Sequence, residues 1–502
     1  MAVEKALEQY GDVVRIAPNE IVFVDPRAAS GTKTLRRRNL ILHYLTKDTD
    51  IYGSHTKHLE HFTKTNFIKI GQGDQGIAWE TDPVKHRNMV KKISPAFSMK
   101  SVRAKEPTMH KHIDHFVQIM KEVGGSDGGV ELREVSLEIP NSFDSCSCST
   151  FQWTDWLALD ISAELAFSRQ MDQLKQSENS YVILPKYLHC SCSTGKSSPF
   201  LEVLWGMNFF LTIHQVCRKF PLLSPIQFLF APPSAVISEL KGRNITTMEV
   251  KNRIKRHGKT THLDHFNQIL GDMDPESTPS KWEQEHLEVL AVQMIVAGYE
   301  PISSQFLCTI MFSLLAPETY KRLVDEIRMA FTRYEDITPE ALAPLEYLNA
   351  SLMETLRMTV IGGTGLPRIS PGAHVNGIYV EKGVYVQYSH FAFTRSPRYF
   401  QEPRSYKPER WLPVEHPHWD SKFKNDARES FFPFSQGPRA CPGTSLAWNE
   451  TRLFIGKLLW SFDIAKLPNQ EIVFERDFKI NAMWDKPKFW VRLQPVARDL
   501  CV

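Results

Sequence analysis

The sequence predicts a mostly α-helical fold with small β-sheets, and three observations support this. Six segments repeat apolar residues at spacings of three and four, as in helices that bury one face. Two stretches are rich in β-branched residues and punctuated by Gly, Pro or Asn, which is typical of short strands. The composition, with 42% hydrophobic and 23% charged residues in 502, is that of a globular protein with a large core.

The elements follow in chain order. Residues 13–24, VVRIAPNEIVFV, predict a hairpin, and residues 361–389 predict a second small sheet. Between 396 and 434, prolines, charges and aromatics indicate a loop too long to be a simple connector unless it supports a site. The predicted helices are 82–93, 99–123, 153–167, 283–315, 317–334 and 345–358.

Charge and hydropathy limit the kinds of partner. Lys+Arg 60 against Asp+Glu 57 leaves a net charge of +3, which makes nucleic acid an unexpected partner. The eight cysteines are too sparse for a disulfide framework, and no stretch is apolar enough to span a membrane. Residues 201–231 are the most apolar, and two interpretations stay open: buried helices around a proline turn, or a surface that lies on a membrane.

The most informative tract is residues 431–462, FFPFSQGPRACPGTSLAWNETRLFIGKLLWSF. Cys441 stands before an amphipathic helix whose dipole favours a thiolate, and a thiolate there is a metal ligand or a nucleophile. Gly437 permits a close backbone approach, and Arg439 can contact a carboxylate on the same face. A buried structural cysteine is the alternative. Against it, Cys441 belongs to a five-position pattern, F-x-x-G-x-R-x-C-x-G, running from Phe434 to Gly443.

This pattern resembles the haem-binding loop of the cytochrome P450 monooxygenases. The resemblance implies one cytochrome P450 domain over residues 1–502 that binds haem b, iron protoporphyrin IX. Cys441 would be the axial ligand of the haem iron and would favour O–O cleavage. Phe434 would shield the sulfur, Arg439 would hold a haem propionate, and Gly437 and Gly443 would shape the loop around the cofactor.

Further residues match the same family. Glu354 and Arg357 form an E-x-x-R pair on one helix face, and Arg410 falls where the family has a second arginine. The resemblance implies that these three form a buried cluster that supports folding and the haem loop rather than the chemistry. Arg368 follows at the family's usual interval and would be another propionate ligand. The opening, residues 10–28, also looks like fungal members, so the resemblance covers nearly the whole chain.

Residues 293–306, QMIVAGYEPISSQF, resemble the family's A-G-x-(D/E)-T helix, which relays protons to bound oxygen. Glu300 matches the acid, whereas Pro301 replaces the threonine and removes a backbone donor. Ser304, three residues further on, lies on the same face and would supply a hydroxyl, whereas Ser303 points elsewhere. We predict catalytic roles for Glu300 and Ser304; water acting with Glu300 alone is the alternative.

The sequence also departs from the family. His86 stands where a propionate donor is expected, but its usual arginine partner is Val90, and the adjacent Lys91 is expected to compensate; a surface role for His86 is the alternative. The family's N-terminal membrane anchor is expected to be absent. Segments 31–50, 135–152 and 181–196 interrupt the family pattern and are interpreted as loop insertions or translated non-coding sequence.

The resemblance implies a haem-thiolate monooxygenase that inserts one atom of O2 into an apolar organic substrate, as a tailoring step in fungal terpenoid, polyketide or alkaloid biosynthesis. Because the chain has no G-x-G-x-x-G unit, electrons would come from a separate NADPH–cytochrome P450 reductase, docked on a cationic surface that includes Arg439 and Lys457. The expected location is the cytoplasmic face of the endoplasmic reticulum membrane, with possible peripheral contact, or the cytosol.

Two alternatives stay open. Pro301 points to a haem-thiolate isomerase or dehydratase that does not use O2. The three interrupting segments point to a non-functional product of a faulty gene model.

Overall fold

The computed structural model describes residues 2–30, 51–53, 60–66, 76–125, 130–131, 153–169, 171–172, 174, 199–226, 229, 233–257, 259–260, 263–271, 279–363, 365–481 and 483–497. The chain divides into two compact units. The first unit is Met1–Ser94 with Met353–Thr444, and the second is Pro95–Leu352 with Ser445–Val502. The single domain over 1–502 stays a prediction, and the segments 31–50, 135–152 and 181–196 lie outside the described residues.

Helices predominate, as predicted. In chain order they are α1 Ala2–Tyr10, α2 Arg27–Ser30, α3 Gly76–Trp79, α4 Pro83–Ile93, α5 Met99–Val123, α6 Trp153–Phe167, α7 Pro199–Lys219, α8 Pro233–Lys255, α9 His265–Leu270, α10 Lys281–Leu315, α11 Pro317–Ala330, α12 Pro339–Leu342, α13 Glu346–Met358, α14 His390–Arg395, α15 Thr444–Ser461 and α16 Phe474–Asp477. The predicted helix 317–334 ends early, because Phe331 takes an extended conformation.

The strands are short. They are β1 Val13–Ala17, β2 Glu20–Phe23, β3 Thr63–Lys64, β4 Val130–Glu131, β5 Arg368–Ile369, β6 Ala373–Val375, β7 Ile378–Val380, β8 Tyr385–Tyr388, β9 Phe462–Lys466, β10 Lys479–Asn481, β11 Met483–Asp485 and β12 Trp490–Pro495. The second unit contains the sheet β4-β12-β9 and the hairpin β10-β11.

The main sheet of the first unit has the order β1-β2-β8-β5-β3. The predicted hairpin 13–24 is confirmed, since β1 and β2 pair antiparallel. The predicted second sheet at 361–389 is only partly correct, because β8 pairs parallel to β2 and brings β5 into the same sheet. All four residues of β2 are buried, so this strand is covered on both faces and needs a neighbour on each edge. Of the described strands within 361–389, β6 and β7 form a separate two-stranded ribbon.

Helices α6 and α10 form the core of the second unit. Every residue of α6 is buried, and its Ser162 hydroxyl donates to the carbonyl of Ile295 at 3.1 Å. Gly298 permits this close approach, because a Cβ there would lie 2.6 Å from the Ser162 oxygen. A capping box between Ser280 and Glu283 starts α10 two residues before the predicted start, and the helix continues through Pro301.

The apolar tract 201–231 forms helices around a proline turn, as predicted, with α7 followed by the short 3-10 helix Pro221–Ile226. The expectation that these helices are buried is wrong at the turn, where Leu222 is 93% exposed, and Leu229 further along the chain is 82% exposed. Phe220 is also exposed. Within the described residues, no helix has both the length and the hydropathy to cross a bilayer.

Candidate active site

The loop before α15 holds Cys441 in a fixed position. The Cys441 N–H donates to the carbonyl of Phe434 at 2.8 Å, which closes the loop. Between them, Gly437 has a φ of +69°, and a side chain there would collide with the carbonyl oxygen of Tyr52. Glycine is therefore required at position 437 of the sequence pattern, because of both its backbone angle and the lack of space around it. The helix α15 begins at Thr444, three residues after the sulfur.

The surroundings of the Cys441 sulfur favour the neutral thiol. Although the residue reaches solvent, the protein around its sulfur raises the pKa of the thiol. Hydrogen bonds from the Gly443 backbone and the Thr444 hydroxyl oppose this shift without reversing it. The groups at the start of the helix therefore act in the expected direction, but burial outweighs them. A bound cation deprotonates a coordinating thiol outright, and these two donors would then stabilise the anion.

Arg439 lies in a buried ion pair. Its Nε atom donates to Glu60 Oε1 at 3.0 Å, Nη2 donates to the same oxygen, and Nη1 donates to the Glu80 carbonyl at 2.7 Å. These bonds use three of the five N–H groups of the guanidinium, so two remain for another acceptor. The Glu60 pairing was missed from the sequence, since the two residues are 379 positions apart.

Two further cations are close to Arg439. Arg368 is buried, donates to the carbonyls of Leu366 and Pro367, and stacks on the Tyr52 ring at 5.0 Å. Among the described residues it forms no ion pair. The pKa of Lys64 is lowered to about 7 by burial and by repulsion from Arg368 and Arg439, with Glu60 acting in the opposite direction.

His86 is buried next to these cations, so the surface role considered for it is wrong. Burial, Arg439, Lys64 and Arg368 lower its pKa to about 3, and the ring is therefore neutral at pH 7. Lys91, which was expected to replace the missing arginine, is exposed on α4. The lysine near His86 is instead the half-buried Lys64, which no local pattern in the sequence indicates.

Glu354, Arg357 and Arg410 lie together at the centre of the first unit. Arg357 Nε donates to Glu354 Oε2 at 2.8 Å, and Arg410 Nε donates to Oε1 at 3.1 Å. Burial raises the pKa of Glu354, but the two arginines outweigh it and bring the value to about 2. The indole of Trp411 and the backbone N–H of Lys407 also donate to this carboxylate. Four donors from a helix and a loop thus converge on one side chain.

In the second unit, Glu300 and Ser304 are in direct contact. The Ser304 hydroxyl donates to Glu300 Oε1 at 3.0 Å, and the backbone N–H of Trp484 donates to the same oxygen at 3.2 Å. Burial raises the pKa of Glu300 above its ordinary value. Ser303 points elsewhere, as expected, and donates to Asp155 on α6.

Lys486 completes this group and was missed from the sequence. Its Nζ atom donates to Ser304 Oγ at 3.1 Å and lies 3.8 Å from Asp155 Oδ1. No motif marks Lys486 or Asp155, because their meeting depends on the tertiary packing of β11 and α6 around α10.

The predicted docking role of Lys457 is wrong. Its side chain is only 2% exposed, pairs with Asp114 and His110, and lies 4.4 Å from the Tyr334 ring centre. Arg439, the other cation assigned to that surface, is buried against Glu60. Neither residue is available to contact a reductase.

Comparison with known proteins gives matches over most of the chain. A family model described as cytochrome P450 matches residues 40–491. The cytochrome P450 monooxygenase TwmD of Talaromyces wortmannii is 41% identical over 495 residues, covering 98% of this chain and 86% of that protein. The cytochrome P450 monooxygenase btcC of Colletotrichum orbiculare is 27% identical over 500 residues, covering 98% and 84%.

Proposed function

Since the chain belongs to the cytochrome P450 family, we propose that it is a haem-thiolate monooxygenase in which Cys441 ligates the iron of haem b. The observation that carries this proposal is the closed loop around Cys441, in which Gly437 has no room for a side chain. Haem, when bound, supplies the iron that activates oxygen, and the thiolate favours O–O cleavage.

The charges of the first unit fit the two propionates of haem. Three cations lie near the carboxylate of Glu60: Lys64, Arg368 and Arg439. When all four side chains are ionised, their net charge is +2. Two propionates would balance this charge, and buried charges are stable only when paired. Arg368 and the two remaining N–H groups of Arg439 are the donors, with Lys64 as a third cation. The neutral His86 ring would add a hydrogen bond.

The second unit contains a proton donor for the reaction, the carboxyl group of Glu300. Inserting one atom of O2 into a C–H bond consumes two electrons and two protons and releases the other atom as water. Glu300, whose pKa is raised by burial, would hold one of these protons, and the Ser304 hydroxyl would orient its carboxyl group. Both residues are positioned by contacts within the second unit.

We assign the electrons to NADPH through a separate NADPH–cytochrome P450 reductase, and the substrate to an apolar fungal metabolite, a terpenoid, polyketide or alkaloid under tailoring. The relatives support this assignment, since they are fungal cytochrome P450 monooxygenases. The exposed Phe220, Leu222 and Leu229 support a peripheral contact with the cytoplasmic face of the endoplasmic reticulum membrane.

The deciding experiment is the carbon monoxide difference spectrum of the reduced protein. We expect a red-shifted, thiolate-type Soret band that is lost in Cys441→Ala and retained in Cys217→Ala, which removes a buried cysteine elsewhere. Absence of the band from haem-loaded wild-type protein would reject the assignment.

A second candidate is a haem-thiolate isomerase or dehydratase that does not use O2, favoured by Pro301 within α10. It predicts the same spectrum but turnover of a peroxide or rearranging substrate without NADPH. Product that depends on NADPH and carries oxygen from labelled O2 would reject this candidate.

A further inference from the structure

The second unit contains a buried charged cluster that extends beyond the predicted pair. Asp155 on α6, Glu300 on α10 and Lys486 after β11 are all buried, and Ser303 and Ser304 connect them. Within the part of the chain that the structure describes, Asp155 and Lys486 are the charged groups that act on Glu300. One ammonium group therefore faces two carboxyl groups in a buried site.

The donors and acceptors present determine the direction of the hydrogen bonds that run from Lys486 through Ser304 to Glu300. A lysine ammonium donates and cannot accept, so Ser304 Oγ must accept from Lys486. The single hydroxyl proton of Ser304 then points to Glu300 Oε1, which also accepts from the N–H of Trp484. With two donors on Oε1, the oxygen of Glu300 that carries a proton is Oε2.

The charge balance favours that proton. If both carboxyl groups were ionised, Lys486 would neutralise only one, and a buried negative charge would remain. Burial raises the pKa of Glu300 and Asp155 adds to this, whereas Lys486, the Trp484 N–H and the Ser304 hydroxyl act against it. Asp155 and Lys486 thus shift the pKa of the Glu300 carboxyl group in opposite directions.

We propose that Lys486 and Asp155 are positioning residues that set the protonation of Glu300: Asp155 favours the neutral acid, and Lys486 stabilises the carboxylate left after a proton has been delivered. Each proton that Glu300 delivers would break its Oε2–H bond and pass to the oxygen that bound haem would activate, and the remaining carboxylate would take a new proton from solvent water. Lys486 also keeps the Ser304 hydroxyl directed at Oε1 throughout. This inference rests on the proposed monooxygenase function.

The test is an infrared titration of the full-length, haem-loaded ferric protein. The C=O stretch of the protonated Glu300 carboxyl group is followed against pH and identified by its loss in Glu300→Gln. Lys486→Met removes the cation that stabilises the carboxylate, so the band should persist to higher pH, by about one unit. Asp155→Asn removes the repelling anion and keeps an acceptor for Ser303, so the band should disappear at lower pH, by a similar amount.

Two further variants separate charge from packing. Lys486→Arg keeps the cation and should titrate near the wild-type pH, and Lys488→Met removes an exposed lysine two residues away and should not shift the band. If Lys486→Met does not fold, Lys486→Arg and Asp155→Asn carry the test alone. Shifts of the same sign in Lys486→Met and Asp155→Asn, an unmoved band in Asp155→Asn, or no protonated band in the wild type would overturn the proposal.

The carbon monoxide spectrum of the same samples distinguishes this proposal from the proposed function. A thiolate-type band without the opposite shifts would reject only the roles of Lys486 and Asp155. Opposite shifts in a protein that lacks the thiolate-type band would reject the monooxygenase and leave the charge coupling of Glu300 in place.

Discussion

Single charged residues determine how each candidate site works. Lys64 is a clear example, because it is half-buried, its pKa is lowered to about 7, and its neighbours Arg368 and Arg439 repel it. A lysine in this position weakens the folded protein unless an anion neutralises it. We interpret its presence as a contribution to propionate binding that replaces the arginine missing at Val90.

We predict that Lys64→Met loosens haem binding. The loss of one charge-assisted hydrogen bond to a propionate should speed haem release by about tenfold. The measurement is the rate of haem transfer from the ferric protein to excess apomyoglobin. Lys91→Met, which removes an exposed lysine of α4, is the control, and its rate of haem transfer should equal that of the wild type. Equal rates for the two variants would exclude Lys64 from the propionate site.

The two adjacent serines of α10 offer a second comparison. Ser304 donates to Glu300, whereas Ser303 donates to Asp155. We expect Ser304→Ala to lower the product formed per NADPH consumed by about tenfold or more, because the carboxyl group of Glu300 loses the donor that orients it. Ser303→Ala should have a much smaller effect. Equal losses in both variants would remove Ser304 from proton delivery.

Among the larger elements, the long loop 396–434 is held to α13 by the carboxylate of Glu354. Apart from short 3-10 helices such as Pro408–Trp411, the tract has little regular structure. Glu354 on α13 accepts from Lys407, Arg410 and Trp411 in this tract, and Arg357 donates to the carbonyls of Pro403 and Ser405. The loop is therefore held by the same helix that carries the E-x-x-R pair.

We expect Glu354→Gln to destabilise the protein by about 3–5 kcal/mol at pH 7, because the buried Arg357 loses its counter-charge and Arg410 keeps only its pairing with Asp426. The pKa of Glu354 is lowered to about 2 from an ordinary value of 4.5. The ionised carboxylate therefore contributes its full stabilisation of the fold above pH 4.5. This contribution is lost as the pH falls towards 2, and the wild type and the variant should converge.

Denaturant unfolding followed by tryptophan fluorescence at pH 7 and pH 3 measures this difference, with Glu415→Gln, an exposed site, as control. A difference that stays constant between the two pH values would assign the effect to packing rather than to charge.

The sequence predicts an element well when its contacts join residues that are close together along the chain, and poorly when they join distant residues. The bounds of α5 and α6 agree with the predicted 99–123 and 153–167, because helical periodicity is a local property. The closed Cys441 loop is local too. The pairing of β2 with β8 joins Ile21 to Val386, and the ion pairs of Glu60 and Lys486 likewise connect distant parts of the chain. No periodic pattern encodes such partners.

Over the whole chain, family similarity extends far beyond the residues that do chemistry. The family model matches residues 40–491, and TwmD aligns over 495 residues. The three interrupting segments thus lie almost entirely inside the family region. If they are loop insertions, both compact units should form without them, since the contacts described above for Cys441, Glu354 and Glu300 are made by residues outside these segments.

We therefore predict that a variant lacking 31–50, 135–152 and 181–196 retains haem and gives the same thiolate-type carbon monoxide band as the full chain. A band in both proteins identifies the segments as tolerated insertions. A band only in the shortened protein indicates that they are translated non-coding sequence, and transcript sequencing that finds all three in mature message would contradict that explanation. A band only in the full chain would mean that the segments contribute to folding, and the insertion hypothesis would then be wrong.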